Sequence, residues 1–299
     1  MRAYLIALTP RSSVSSYLPA MVTAILLGNA QDAGVPQAGC GCENCRAAWA
    51  APARRKWVAA LGVLDTDAGQ WFMIDATPDF REQLHYMQAQ AGNARLAGIL
   101  ITHAHMGHYT GLIHLGYEAM AARDLPLYGT RRLLEFLQAH APWRQLVEMG
   151  NVALRELLPG EWQELTPRLA VMPLRVPHRD EWSNTVGFVV RGPSRQLLYL
   201  PDIDGWAQWE RRVEEAAAGV DVALLDGSFF SPDELPGRDV SQIGHPLVTD
   251  TAARLAGLAA DIRFIHLNHS NPLHRPGPER EWLEAQGFKV GERGDVWEL

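Results

Sequence analysis

Long apolar runs are missing from this sequence of 299 residues. No stretch reaches the ~18–20 consecutive apolar residues that cross a bilayer, so the longest hydrophobic runs are strand-sized and no membrane partner is expected. An excess of positive charge is missing too. With 27 Lys and Arg against 34 Asp and Glu, the net charge is −7, which argues against a mainly electrostatic grip on nucleic acid. Cysteine is scarce and confined to one place. Cys40, Cys42 and Cys45 all fall in GCGCENC, so no long loop can be closed by an internal disulfide, and a disulfide-built scaffold is disfavoured. There is also no internal repeat, no low-complexity tract and no obvious linker. The apolar run in the opening MRAYLIALTP is too short for a convincing secretory segment. Residues 1–20 read as an extension of unknown role ahead of a single domain spanning 21–299, and a cytoplasmic location is expected.

What is present has the make-up of an ordinary globular protein, 47% hydrophobic and 20% charged, long enough to bury a substantial core. Short apolar, β-branched runs recur: MVTAILL, WVAALGVL, WFMID, LAGILI, TVGFVV, QLLYL, DVALLD and RFIHL. They read as strands, several of them buried on both faces. Helical patterns lie between them. Phe80, Leu84 and Met87 fall at i, i+4 and i+7, with Thr77 placed as N-cap and Pro78 at N1. Trp206, Trp209 and Val213 repeat the pattern at i, i+3 and i+7, and further helices are predicted over 111–122, 130–140, 248–260 and 278–286. The alternation predicts sheets covered by helices, an α/β class fold.

Polar residues gather at the ends of the predicted strands. Asp75 ends WFMID, the cluster ITHAHMGH follows LAGILI, Asp202 follows QLLYLP, Asp226 ends DVALLD, and His266 ends RFIH. Strand ends collect on one edge of a sheet, so separate stretches can deliver side chains to one place. His103 and His105, two apart in an extended loop, point the same way, and His108 returns from the first turn of the next helix. With His178 after LRVP, these imidazoles and carboxylates are the donor types that zinc and iron sites use. Each lone residue has an ordinary reading as a core histidine or a capping aspartate; it is the ordered set that points to a metal.

The set resembles the metallo-β-lactamase superfamily. Its HxHxDH motif is similar to His103–His108, with Gly107 standing where the family carries aspartate, and its later His, Asp and His are similar to His178, Asp202 and His266. The resemblance implies an αββα sandwich with the metals at one edge. Asp75 resembles the aspartate that buttresses the motif loop, and Asp226 is expected to support the site in the same way. Within the superfamily, GNAQDAGVPQAGCGCENC and FIHLNHSNP resemble the B protein family of pyrroloquinoline quinone (PQQ) biosynthesis. The cysteine cluster also resembles that of the cyclic phosphodiesterase of phosphonate breakdown. It implies a structural zinc on Cys40, Cys42 and Cys45, with His269 as the fourth ligand. His245, in IGHP, matches a GH of the relatives and is expected to line the pocket.

Gly107 removes one oxygen ligand, so one tight metal, Zn2+ or Fe2+, and a second that is weak or absent are expected. Three functions follow. A hydrolase would cleave an ester or phosphodiester with metal-activated water, Asp202 orienting the nucleophile and His245 helping the leaving group. An Fe(II) oxygenase would act on a tyrosine-derived precursor, as the PQQ resemblance implies. A metal-stabilised carrier or binding protein would have no turnover. The partner expected is a small-molecule or peptide-derived substrate, and a homodimer is possible.

Overall fold

The computed structural model describes residues 21–234 and 244–299; the predicted extension over 1–20 lies outside them. Two seven-stranded sheets form the centre. The first takes β1 (Val22–Gly28), β2 (Ala60–Asp65), β3 (Gln70–Ile74), β4 (Arg95–Leu100), β5 (Leu125–Gly129) and β6 (Val152–Glu156). The second takes β7 (Gln163–Glu164), β8 (Ala170–Arg175), β9 (Val186–Arg191), β10 (Gln196–Leu200), β11 (Val222–Asp226), β12 (Asp261–Ile265) and β13 (Lys289–Val290). The last strand, β14 (Val296–Glu298), returns to the first sheet beside β1.

The uninterrupted apolar runs follow from this layering, because successive side chains of a strand point to opposite faces. Leu26 of β1, Phe72 and Ile74 of β3, Tyr199 of β10 and Leu224 of β11 meet in the core between the sheets. Their neighbours face outward. Leu27 and Met73 pack under α2 (Phe80–Ala91) and α4 (Arg131–Ala139), while Leu198 and Leu225 pack with α7 (Val248–Leu255) and α8 (Pro278–Ala285). The layers are therefore helix, sheet, sheet, helix, the α/β sandwich expected from the sequence. Phe188 is fully buried in the central layer, and Phe188→Ala is expected to cost about 3–5 kcal/mol, seen as a lower urea midpoint.

Four predicted helices differ. α2 starts at Phe80 with Asp79, not Thr77, at the N-cap position, and the Thr77 hydroxyl accepts from Asp79 N instead. The pattern Trp206, Trp209, Val213 is split into a 3-10 turn at Trp206–Gln208 and α6 (Val213–Ala218), with extended backbone at Trp209. All three residues still reach one core, but the indole N–H groups need acceptors, and Trp206 donates to Thr251 Oγ1 while Trp209 donates to the Arg175 carbonyl. Over 111–122 only a 3-10 turn forms, ending at extended Gly116. The helix begun at Val248 stops at Leu255, ahead of Gly257, whose φ is +82°. The short helix α3 (Met106–Tyr109) carries His108, while helices α1 (Glu43–Ala50) and α5 (Ala141–Glu148) were not predicted. No helix among the described residues is long and apolar enough to cross a membrane.

The topology decides where chemistry can occur. β3, β4, β5 and β6 run parallel, as do β10, β11, β12 and β13, so their C-terminal ends lie on common edges. A backbone bond from Val186 N to the Thr102 carbonyl joins the two sheets at that edge.

Candidate metal centre

Each strand end holds its polar residue by a specific contact. After β3, Asp75 adopts a left-handed backbone with φ +69°, and after β12 His266 does so with φ +60°. Such backbone costs of order 1–3 kcal/mol per residue and persists where surrounding contacts over-determine it. Asp75 accepts from Thr102 N at 2.8 Å and Thr102 Oγ1 at 2.9 Å, tying the end of β3 to the start of the histidine loop. Its other oxygen lies 2.8 Å from His108 Nδ1. Asp226 accepts from Ser228 N at 2.8 Å and Ile203 N at 3.2 Å, which fastens the loop carrying Asp202 to the end of β11.

His103, His105, His178 and Asp202 bring four donor atoms within 4.8 Å of one another. Asp202 Oδ2 lies 3.0 Å from His178 Nε2, 3.3 Å from His103 Nε2 and 4.0 Å from His105 Nδ1. Outward-facing nitrogens are occupied: His178 Nδ1 contacts Asp204 Oδ1 at 2.8 Å and His103 Nδ1 contacts Thr102 Oγ1 at 3.0 Å. This fixes the ring orientations, as metal sites require. Burial, reinforced by the nearby His108, holds His103 well below the ordinary imidazole range. Burial would raise Asp202, but His266 and His178 outweigh it and hold the carboxyl well below its usual range. A neutral imidazole beside an ionised carboxylate is the form in which both bind a cation.

A second group meets on the other side of Asp202. His108 and His266 are fully buried, with ring centroids 5.4 Å apart. His266 Nδ1 contacts Ser228 Oγ at 3.0 Å, while the Nε2 atoms of both rings face inward, 3.8 and 3.9 Å from Asp202 Oδ2. Asp32, which the sequence reading missed, joins them. It lies within the stretch that resembles the PQQ family, just past β1, but no spacing rule connects it to the histidines. His245 Nδ1 lies 2.8 Å from Asp226 Oδ2 and 3.4 Å from Asp202 Oδ1, and its Nε2 is 3.4 Å from Gln31 Nε2. Burial would lower His245, but Asp226 and Asp202 outweigh it and raise it to about 9. His245 therefore stands at the wall of the centre, already paired to a carboxylate.

The donor set fits metal ions, and four polar atoms decide the point. Asp32 Oδ1, His108 Nε2, Asp202 Oδ1 and His266 Nε2 are enclosed and have no hydrogen-bond partner among the described residues. Unmet groups of this kind cost ~1–3 kcal/mol each. Asp75→Asn is expected to weaken metal binding at His108 by about 10–100-fold, the usual effect of losing a carboxylate behind a ligating imidazole, measured by competition with a chromogenic chelator.

A separate group forms at the cysteine loop. Cys40, Cys42, Cys45 and His269 bring their donor atoms together, with His269 Nδ1 3.4 Å from Cys40 Sγ and 3.5 Å from Cys42 Sγ. Backbone N–H groups of Cys42 and Gln37 donate to the sulfurs of Cys40 and Cys45. Asn44 locks the opposite side by donating to the carbonyls of His269 and Asn271. Burial pushes the Cys45 thiol up to about 12, and a soft cation held by the loop would deprotonate it.

Two face-to-face sheets with imidazole and carboxylate groups at one edge define a metallo-β-lactamase type of fold. The chain belongs to the metallo-β-lactamase superfamily: a model described as "Beta-lactamase superfamily domain" matches residues 70–269. It is similar over nearly its whole length to coenzyme PQQ synthesis protein B. That of Methylobacterium sp. (strain 4-46) is 30% identical over 301 residues, covering 91% of this chain and 98% of the relative. That of Rhizobium meliloti (strain 1021) is 27% identical, covering 90% and 95%. Among solved structures, Zn2+-bound PqqB from Methylobacterium extorquens shares the fold with a TM-score of 0.78 at 24% identity, covering 93% of this chain and all of that one. A diphosphatase from the PhnP family does so with a TM-score of 0.67 at 23% identity, covering 93% and 97%.

Proposed function

We propose that this protein is a metal-dependent hydrolase that cleaves an ester or phosphodiester. The observation that carries the reading is the placement of Asp202, buried among His103, His105 and His178, with their other ring nitrogens on His103 and His178 already held by Thr102 and Asp204. Zinc is the favoured ion, because that donor set suits it and the similar PqqB of Methylobacterium extorquens is zinc-bound. Held there, zinc would acidify a water toward neutral pH and polarise the scissile group.

The chain's own groups supply the rest. Asp202 Oδ1, which has no hydrogen-bond partner among the described residues, accepts a hydrogen from the attacking water and aims it. His245, its Nδ1 held by Asp226 and its Nε2 near Gln31 Nε2, is raised against burial to about 9 by Asp226 and Asp202, and in its protonated form Nε2 can donate to the departing oxygen. Asp226, fully buried, is a positioning residue, since it holds His245 and the Asp202 loop.

One observation favours a second reading, an iron-dependent oxygenase acting on a tyrosine-derived precursor: the relatives that match nearly the whole chain are named for the synthesis of coenzyme PQQ. Imidazole and carboxylate ligands suit iron as well as zinc. Protein prepared without air, analysed for metals and assayed with a chromogenic phosphodiester and for oxygen uptake, separates the two. Zinc with phosphodiester turnover supports the hydrolase; iron with oxygen uptake replaces it. Metal without either activity leaves the binding-protein reading.

A further inference from the structure

The space beside Gly107 is occupied. A Cβ on Gly107 would lie 2.5 Å from Asp32 Cα and meet Asp32 Oδ1 more closely still, so the Asp32 carboxylate stands where a side chain at 107 would begin. Asp32 Oδ1 is 3.4 Å from His108 Nε2, and these two atoms with His266 Nε2 lie within 4.8 Å of one another. The side chain of Asp32 is 36% exposed as a whole, yet this oxygen is enclosed and, like the two imidazole nitrogens, has no hydrogen-bond partner among the described residues. The far nitrogens of both rings are already taken, by Asp75 and by Ser228. Two imidazole nitrogens and a carboxylate oxygen that face one point are the donors a divalent cation satisfies together.

The position of Asp32 is set by backbone bonds. Leu267 N donates to the Asn29 carbonyl at 2.8 Å and Gln31 N to the Leu267 carbonyl at 2.9 Å, while Gly34 N closes a turn onto Gln31. The loop after β1 is thereby stitched to the residue that follows His266, which delivers Asp32 to the same edge. We propose that Asp32 closes a second metal position with His108, His266 and the shared carboxylate of Asp202. The oxygen ligand missing at Gly107 is thus supplied from a different loop, and the second position is not short of a ligand. This rests on the reading of the histidine cluster as a metal centre.

Metal counting on the full chain tests it without turnover. Titrated with Co2+ after the cysteine loop is filled with zinc, wild-type protein takes up two further ions, and Asp32→Asn takes up the first with unchanged affinity and the second at least 10-fold more weakly. With Mn2+, the wild type gives the electron-spin signature of a coupled pair and the variant that of a single ion. Gly107→Asp serves as the opposing variant. Its side chain runs into the Asp32 backbone, so it binds the second ion more weakly than wild type; if it binds that ion more tightly, Gly107 marks a lost ligand and the proposal fails. The proposal also fails if Asp32→Asn holds both ions as wild type does, or if wild type takes up one ion only. In that last case the metal-centre reading survives, whereas no ion in either histidine group overturns both. The metal-free melting temperatures of wild type and Asp32→Asn should agree within a few degrees. A drop as large without metal as with it would make Asp32 a structural residue only.

Discussion

Asp202→Asn should lose metal from the histidine cluster and reduce turnover by more than about 100-fold, beyond the 10–100-fold cost of disturbing a group behind a ligand. The reason is position. Asp202 Oδ2 has His103, His105, His108, His178 and His266 nitrogens within 4.0 Å, and among the described residues no other carboxylate reaches both sets of imidazoles. Asparagine keeps the shape but removes the negative charge that offsets a dication in a buried place, where uncompensated charge is expensive. Metal analysis of the purified variant, beside kcat on the chromogenic phosphodiester, reads the effect. If zinc content in the cluster and kcat both stay near wild type, Asp202 does not hold the metal and the mechanism above is wrong.

The second large effect belongs to the cysteine loop. Cys42→Ser should remove one zinc per chain, leave the histidine cluster loaded, and lower the melting temperature by roughly 10 °C, which for a chain of this size corresponds to about 6 kcal/mol. Structural zinc supplies folding energy directly, because its site exists only in the folded chain. Here the four donors link the loop after β1 to the segment after β12, and that link also carries the bonds between Asn29, Gln31 and Leu267. Metal counting combined with calorimetry measures both changes. Unchanged total zinc would remove the structural site; loss of zinc from both places at once would mean that the two are not independent.

Much of the centre was legible in the chain because its signals are local. His103 and His105 project together from an extended loop whatever surrounds them, and Asp75, Asp202, Asp226 and His266 were recognisable as residues ending apolar runs. The structure gathers these around one edge, with His178 and His245, and it places His269 against the cysteines. Where the reading of helices erred, tertiary demands overrode periodicity. Trp206, Trp209 and Val213 carry helical spacing but reach their common core from a turn and an extended segment, because each indole N–H had an acceptor to meet.

The sequence by itself determined the layers and the donor types. Alternation along a strand is a property of neighbouring residues, so runs such as WFMI and VALL specify sheets buried on both faces wherever they end up. Only the tertiary structure decided which carboxylate fills the space beside Gly107. That depends on Asn29 and Gln31 pairing with Leu267, a contact between segments far apart in the chain whose register no local pattern encodes. A glycine that reads as a missing ligand along the chain becomes, in the folded protein, the room into which Asp32 fits.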